Sequence, residues 1–129
     1  MNPLMTDIRD FIAARIDEDQ ALAQAAIDDV NGEDCWFDTG NEHIADHYRR
    51  HSTDRVLREV ATTRAILARW EHLHWQFGEI QTDPSLRGGL QSVLSSINTI
   101  EAIMKRIALT HEDHPDFKDE WRLPSPDWW

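Results

Sequence analysis

The sequence predicts an all-α fold, an antiparallel helical bundle of three long helices with a short helix or loop at 32–52 and an irregular C-terminal tail. Three observations predict it. Two stretches carry heptad seams of equal length, a third carries apolar residues at three- and four-residue steps, and glycine, proline and capping residues fall between them. At 129 residues the chain is the size of one domain, 1–129, large enough to bury a core without disulfide or metal staples.

The first helix is expected over 6–30. Thr6 is placed as an N-cap, with Asp7 and Asp10 favouring the positive helix end. Ile8, Phe11, Ile12, Ile16, Ala23, Ala26, Ile27 and Val30 form its apolar stripe, the opposite face is acidic, and Asn31-Gly32 supplies a stop. From Gly32 to Gly40 no period holds, so a loop or short strand pair is expected, with Trp36 and Phe37 as a plug over the bundle end. A loop or short helix fills the remainder of 32–51, a helix beginning near Asn41.

The second long helix is expected over 53–77, opening at Ser52, Thr53 or Asp54. Val56, Val60, Thr63, Leu67, Trp70, His74 and Phe77 alternate steps of four and three, the spacing of a seam that packs knobs into holes. The third, over 84–110, is entered through Asp83-Pro84, and Leu86, Leu90, Val93, Ile97, Ile100, Met104 and Ile107 repeat the alternation. The short connection makes the two helices an antiparallel pair. Gly88 and Gly89 each cost about 1 kcal/mol relative to alanine inside a helix, so the stable part is expected to begin near Leu90. Prolines 115, 124 and 126 stop a further long helix in the tail, 111–129, whose terminal Trp128 and Trp129 are expected to tuck against the bundle.

Thirteen basic and twenty-four acidic residues leave a formal charge of -11, which repels nucleic-acid backbones and anionic membranes. Direct nucleic-acid or membrane binding is therefore not expected. Residues 1–42 carry -9, 43–110 carry +2 and 111–129 carry -4. Arg55, Arg58, Arg64 and Arg69 of the second helix are expected to meet acids of the first, such as Asp17, Glu18 and Asp28. No stretch is long and apolar enough to span a membrane, and the first thirty residues lack the basic start and apolar run of a secretory signal. Cys35 is the only cysteine and cannot form an internal disulfide, which fits the cytoplasm.

The unusual feature is His43, His47 and His51, spaced by four so that a helix sets them on one face. Two such neighbours chelate one metal ion. All three cannot, because residues eight apart on a helix are about 12 Å apart along its axis. His111, Asp113 and His114 are the other dense set of ligating groups, so a site using His47, one of His43 or His51, and His114 is a candidate for zinc or another divalent transition metal. The competing reading makes these surface or capping histidines bonded to carboxylates such as Glu42 and Asp46, with no cofactor. Glu71-x-x-His74 has half of a di-iron signature without its second copy, so His74 is read as a seam residue. No nucleophile elbow, phosphate-binding loop or dinucleotide glycine pattern occurs, and Cys35 is read as a small buried residue.

Phe11-Ile12-Ala13-Ala14-Arg15-Ile16-Asp17-Glu18-Asp19 is one of three anchors of a resemblance. The second is His43-Ile44-Ala45-Asp46-His47 leading to Asp54-Arg55-Val56-Leu57-Arg58-Glu59-Val60, and the third is His114-Pro115-Asp116-Phe117-Lys118-Asp119-Glu120-Trp121. In these the chain resembles a family of small proteins from actinobacteria and their phages known as a domain of unknown function. The resemblance implies no activity or cofactor. It implies that a histidine pair, His114 and Trp121 form either a structural clasp or a binding site.

The expectation is a non-enzymatic accessory or regulatory factor that binds another protein in the cytoplasm, the host cytoplasm if it is phage-encoded. Two alternatives stay open. One is a metal-dependent hydrolase or metal-binding regulator built on His43, His47, His51 and His114, not all at once. The other is a homodimeric structural module pairing through its seams or terminal tryptophans.

Overall fold

The computed structural model describes residues 2–32 and 40–122, with side chains over 2–28 and 52–122. Three helices make up most of it, α1 (Pro3–Gly32), α2 (Gly40–Thr82) and α3 (Leu90–Leu109), with 3₁₀ segments at Pro84–Gly89 and Asp119–Trp121. No strand occurs among the described residues. The fold is the all-α, antiparallel helical bundle that the seams predict. Trp36, Phe37, Cys35, Trp128 and Trp129 lie outside the described residues.

α1 begins three residues before its expected start. Asn2 is the cap in place of Thr6, since its Oδ1 accepts the Leu4 N–H at 3.0 Å and its carbonyl accepts the Met5 and Thr6 N–H groups at 3.1 Å. Pro3 takes the first helical position, where its missing N–H costs nothing and its fixed φ already suits the helix. The earlier start carries the apolar stripe back to Met5, which is 1 % exposed.

α2 is longer than its seam implies. Residues 40–52 are helical, as one reading of that stretch expects, but they form the first turns of α2 itself. Ser52, Thr53 and Asp54 therefore sit inside the helix, and Thr53 is buried. No glycine or proline interrupts 41–77, and propagating a formed helix is easier than ending one and nucleating another. Val60, Leu67 and Trp70 are buried as the seam predicts, and so are Leu73 and Ile80, which lie off it. A seam written for one neighbour is too narrow for a helix that packs against two.

The connection to α3 is a 3₁₀ segment rather than the first turns of the α-helix. Asp83 caps it, its carboxylate accepting the Ser85 N–H at 3.0 Å and the Ser85 hydroxyl at 2.7 Å, with Pro84 next. α3 starts at Leu90, where the glycine pair predicts its stable part to begin. Ile97 and Met104 are buried from the predicted seam, joined by Ala108. Leu86 is 43 % exposed, because a three-residue turn takes it out of the register of α3.

The chain divides into two compact units, Met1–Ala14 with Ala65–Trp129, and Arg15–Arg64. In the first, Met5, Ile8, Phe11 and Ile12 of α1, Leu67, Trp70, Leu73 and Ile80 of α2, Ile97, Met104 and Ala108 of α3, and Trp121 of the tail form the core. Burying a side chain such as Ile12 or Met104, both 0 % exposed, contributes about 1.5–3 kcal/mol. In the second unit Ile16, Ala23 and Val60 are buried beside Arg15 and Thr53. There Arg64 reaches Asp17 at 2.8 Å and also bonds Gln20, the meeting of opposite charges that the sequence predicts. Arg55 pairs instead with Glu59 on its own helix at 3.1 Å. Arg15, nearly sealed from solvent, holds Glu18 at 3.2 Å.

Candidate functional site

The tail cluster, the His74 contact and the surface grooves lie in the unit that holds α3, and His43, His47 and His51 belong to the other. The tail after α3 turns tightly, with the His114 N–H bonded to the His111 carbonyl at 2.9 Å and the Phe117 N–H bonded to the His114 carbonyl at 3.0 Å. Those turns set a ring of aromatics on Phe11 of α1. Ring centroids lie 5.1 Å from Phe11 at Trp121, 5.8 Å at His114, 6.0 Å at Phe117 and 6.2 Å at His111, mostly edge to face. Lys118 lies over Trp121 and 3.5 Å from Asp7, while Arg122 lies over Phe117 and holds Glu112 at 2.8 Å and Asp119 at 3.3 Å.

His114 is a turn residue in this arrangement. Its Nδ1 accepts the Asp116 N–H at 3.0 Å, so that nitrogen carries no proton and its lone pair is engaged. The same Nδ1 lies 3.9 Å from the Asp116 carboxylate. Of the four candidate metal ligands, His114 is the one with a described side chain. His43, His47 and His51 lie on the helical backbone of α2, and their side chains are outside the described residues, as are Glu42 and Asp46. Among the described residues no three ligating side chains gather at one point.

His74 does more than fill a seam position. Its ring meets the Trp70 indole edge to face at 4.7 Å, and its Nε2 is buried without a protein hydrogen bond among the described residues. A second such atom is Glu101 Oε2 on α3. Burial holds the His74 imidazole below its ordinary pKa, and the Glu101 carboxylate pulls the other way. A half-buried histidine and a half-buried carboxylate that act on one another electrostatically make a polar contact between α2 and α3.

The open surface lies at the end of the α2–α3 hairpin. A groove of about 530 Å³ is lined by Trp75, Gln76, Glu79 and Ile80 of α2, Ser85, Leu86, Gly88 and Gly89 of the 3₁₀ segment, and Val93 of α3. Trp75 is 60 % exposed, and His72 stacks on it at 5.6 Å with the rings 26° from parallel. Gly88 lines the groove with no atom within 4 Å of where a Cβ would stand. A second, shallower hollow of about 570 Å³ runs along α3 past Asn98, Thr99, Ala102, Ile103 and Arg106. The seams do not pick out Trp75, yet a signal was present. It is a tryptophan one step past the seam position His74, where the spacing assigns no partner.

The fold and these sites define a small all-α protein whose described surface offers a largely apolar groove. A family profile matches residues 5–123, that of the family of unknown function DUF6221, and the chain belongs to that family. No curated protein matches it. No solved structure matches it either.

Proposed function

We propose that the chain is a non-enzymatic protein-binding module whose docking surface is the groove at the α2–α3 hairpin end. The observation that carries this is Trp75, a large aromatic held 60 % in solvent at the edge of that groove and steadied by His72. Tryptophan in such a place is a common anchor of protein interfaces, and an exposed indole that binds nothing invites aggregation. The charge of -11 argues against nucleic acid or an anionic membrane as the partner. The cytoplasm as its compartment, and a phage or actinobacterial source, belong to the same proposal and rest on the lone Cys35 and the three sequence anchors.

The test compares wild type with Trp75→Glu as baits in a cytoplasmic lysate. The expected result is at least one protein held in near-stoichiometric amount by wild type and reduced tenfold or more with the variant, while both chains melt alike. Equal capture by both baits would sink the proposal.

A second proposal rests on the backbone of α2. Because residues 40–51 are helical, His43 with His47, or His47 with His51, stand one turn apart, the spacing of a two-histidine chelate that a third ligand from elsewhere would complete. Metal content of untagged protein tests it. About one equivalent of zinc or another divalent metal, lost in His47→Ala, supports a metal-dependent role; metal-free protein removes it.

A further inference from the structure

The groove has a chemistry of its own. Its apolar part is Ile80, Leu86 and Val93, and Glu79 is the charged residue among those that line it. Glu79 follows Trp75 by one helical turn, so an indole face and a carboxylate stand side by side on the exposed surface of α2. Asp83, at the turn that closes the groove, keeps its carboxylate ionised through the Ser85 hydroxyl and amide. Arg87 is exposed on the same 3₁₀ segment but does not line the groove.

Gly88 is one of two glycines that line the groove. Its φ is not positive, and nothing lies within 4 Å of where its Cβ would stand, so neither the backbone nor packing requires glycine there. At Gly89 an added Cβ would stand 4.0 Å from Ile80 Cδ1, so the two missing side chains leave the groove open to solvent next to Ile80.

We infer that the groove takes a cationic and apolar peptide segment of a partner protein, an inference that rests on the protein-binding reading above. An aliphatic or aromatic side chain seats over Gly88 against Ile80, Leu86 and Val93. A neighbouring lysine or arginine lies over Trp75 and beside Glu79, where the indole quadrupole and the carboxylate both favour a cation. Glu79 in the groove and Asp83 at its turn favour such a segment over an acidic one.

The test is selection from a random dodecapeptide library on the full chain, followed by affinity measurement on three variants. The expected peptides carry net positive charge and at least one large apolar residue. They bind Gly88→Leu, which fills the groove without changing its charge, at least tenfold more weakly, and Glu79→Gln about threefold to tenfold more weakly. Trp75→Ala gives the same loss as Gly88→Leu and serves where the latter melts below wild type. Neutral or acidic winners, undiminished binding to Gly88→Leu and Trp75→Ala, or no enriched peptide would each overturn the inference. So would a dimer of wild type that Gly88→Leu abolishes, because a second copy would then be the occupant. Lysate capture lost in Trp75→Glu alongside acidic peptides would leave the protein-binding reading standing and overturn only the chemistry assigned here.

Discussion

Phe11 is where α1 and the tail meet, and removing its ring measures how firmly the tail is held. The residue is 6 % exposed, and Trp121 beneath it is 5 % exposed, so little water reaches the contact. Phe11→Ala removes a buried phenyl and leaves a cavity, a change of about 3–5 kcal/mol. The edge-to-face contacts with Phe117, Trp121 and the two imidazoles are each worth about 0.5–1.5 kcal/mol, but they share one ring and do not add, so the upper half of the range is expected. Phe11→Leu keeps most of the burial and loses the ring edges, which predicts a loss of about 1–1.5 kcal/mol.

Urea unfolding reads the global change. Amide hydrogen exchange reads where it falls, because the Phe117 N–H and the Trp121 N–H are bonded within the tail, to the carbonyls of His114 and Lys118. In Phe11→Ala those two amides should lose far more protection than the interior amides of α3, since α3 keeps Ile97 and Met104 as buried residues of its own. A stability loss under about 2 kcal/mol for Phe11→Ala, or protection lost evenly along the chain, would refute the view that the tail is docked by this ring.

His74 predicts a pH dependence with a definite sign. Its folded pKa lies below the ordinary 6.5, chiefly through burial, so the unfolded chain takes up a proton first as the pH falls. The stability linked to His74 is fully present above about pH 6.5 and declines as the pH drops from there towards the folded value, and in His74→Gln urea midpoints between pH 7.5 and 5.5 should fall less steeply. An identical slope in wild type and variant would show that the imidazole is not desolvated. At the start of α1, Asn2→Ala should cost about 1 kcal/mol in thermal melts, whereas Thr6→Ala should cost a few tenths, the reverse of what a cap at Thr6 predicts.

What the sequence made legible was what depends on spacing alone. Ile12, Leu67, Trp70, Ile97 and Met104 are buried because the steps of three and four that mark them in the sequence are the steps that align side chains on a helix. The Leu90 start was equally readable, since two glycines weaken an α-helix whatever surrounds them. Boundaries that depend on competition between local signals were not. Thr6 and Ser52-Thr53-Asp54 carry capping side chains, but a cap acts only where the chain enters from outside the helix, and Asn2-Pro3 had already started α1 while α2 was already running from Gly40. For His114 spacing leaves the role open for the same reason, because imidazole is both a metal ligand and a hydrogen-bond acceptor, and the turn geometry adds that its Nδ1 accepts the Asp116 amide.

The groove was illegible for a different reason. A periodicity argument finds the residues that must be buried and assigns everything else to the solvated face, so Trp75 disappears into the same class as its neighbours Glu71 and Glu79. Gly88 and Gly89 were read for what they take away from a helix, which is correct as energetics but silent about the space they leave. The two observations acquire a meaning only together. The 3₁₀ turn carries Leu86 out of the core register and leaves it 43 % exposed, the two glycines line the same groove without side chains, and Trp75 lines it too with its ring stacked on His72. Alanine at position 88 would fit the backbone and reduce the entropy of the unfolded chain, stabilising the fold by about 0.4–1 kcal/mol. On the docking proposed above, the chain forgoes that stabilisation for room to seat a partner's side chain, and a Gly88→Ala chain that melts no higher than wild type would refute the exchange.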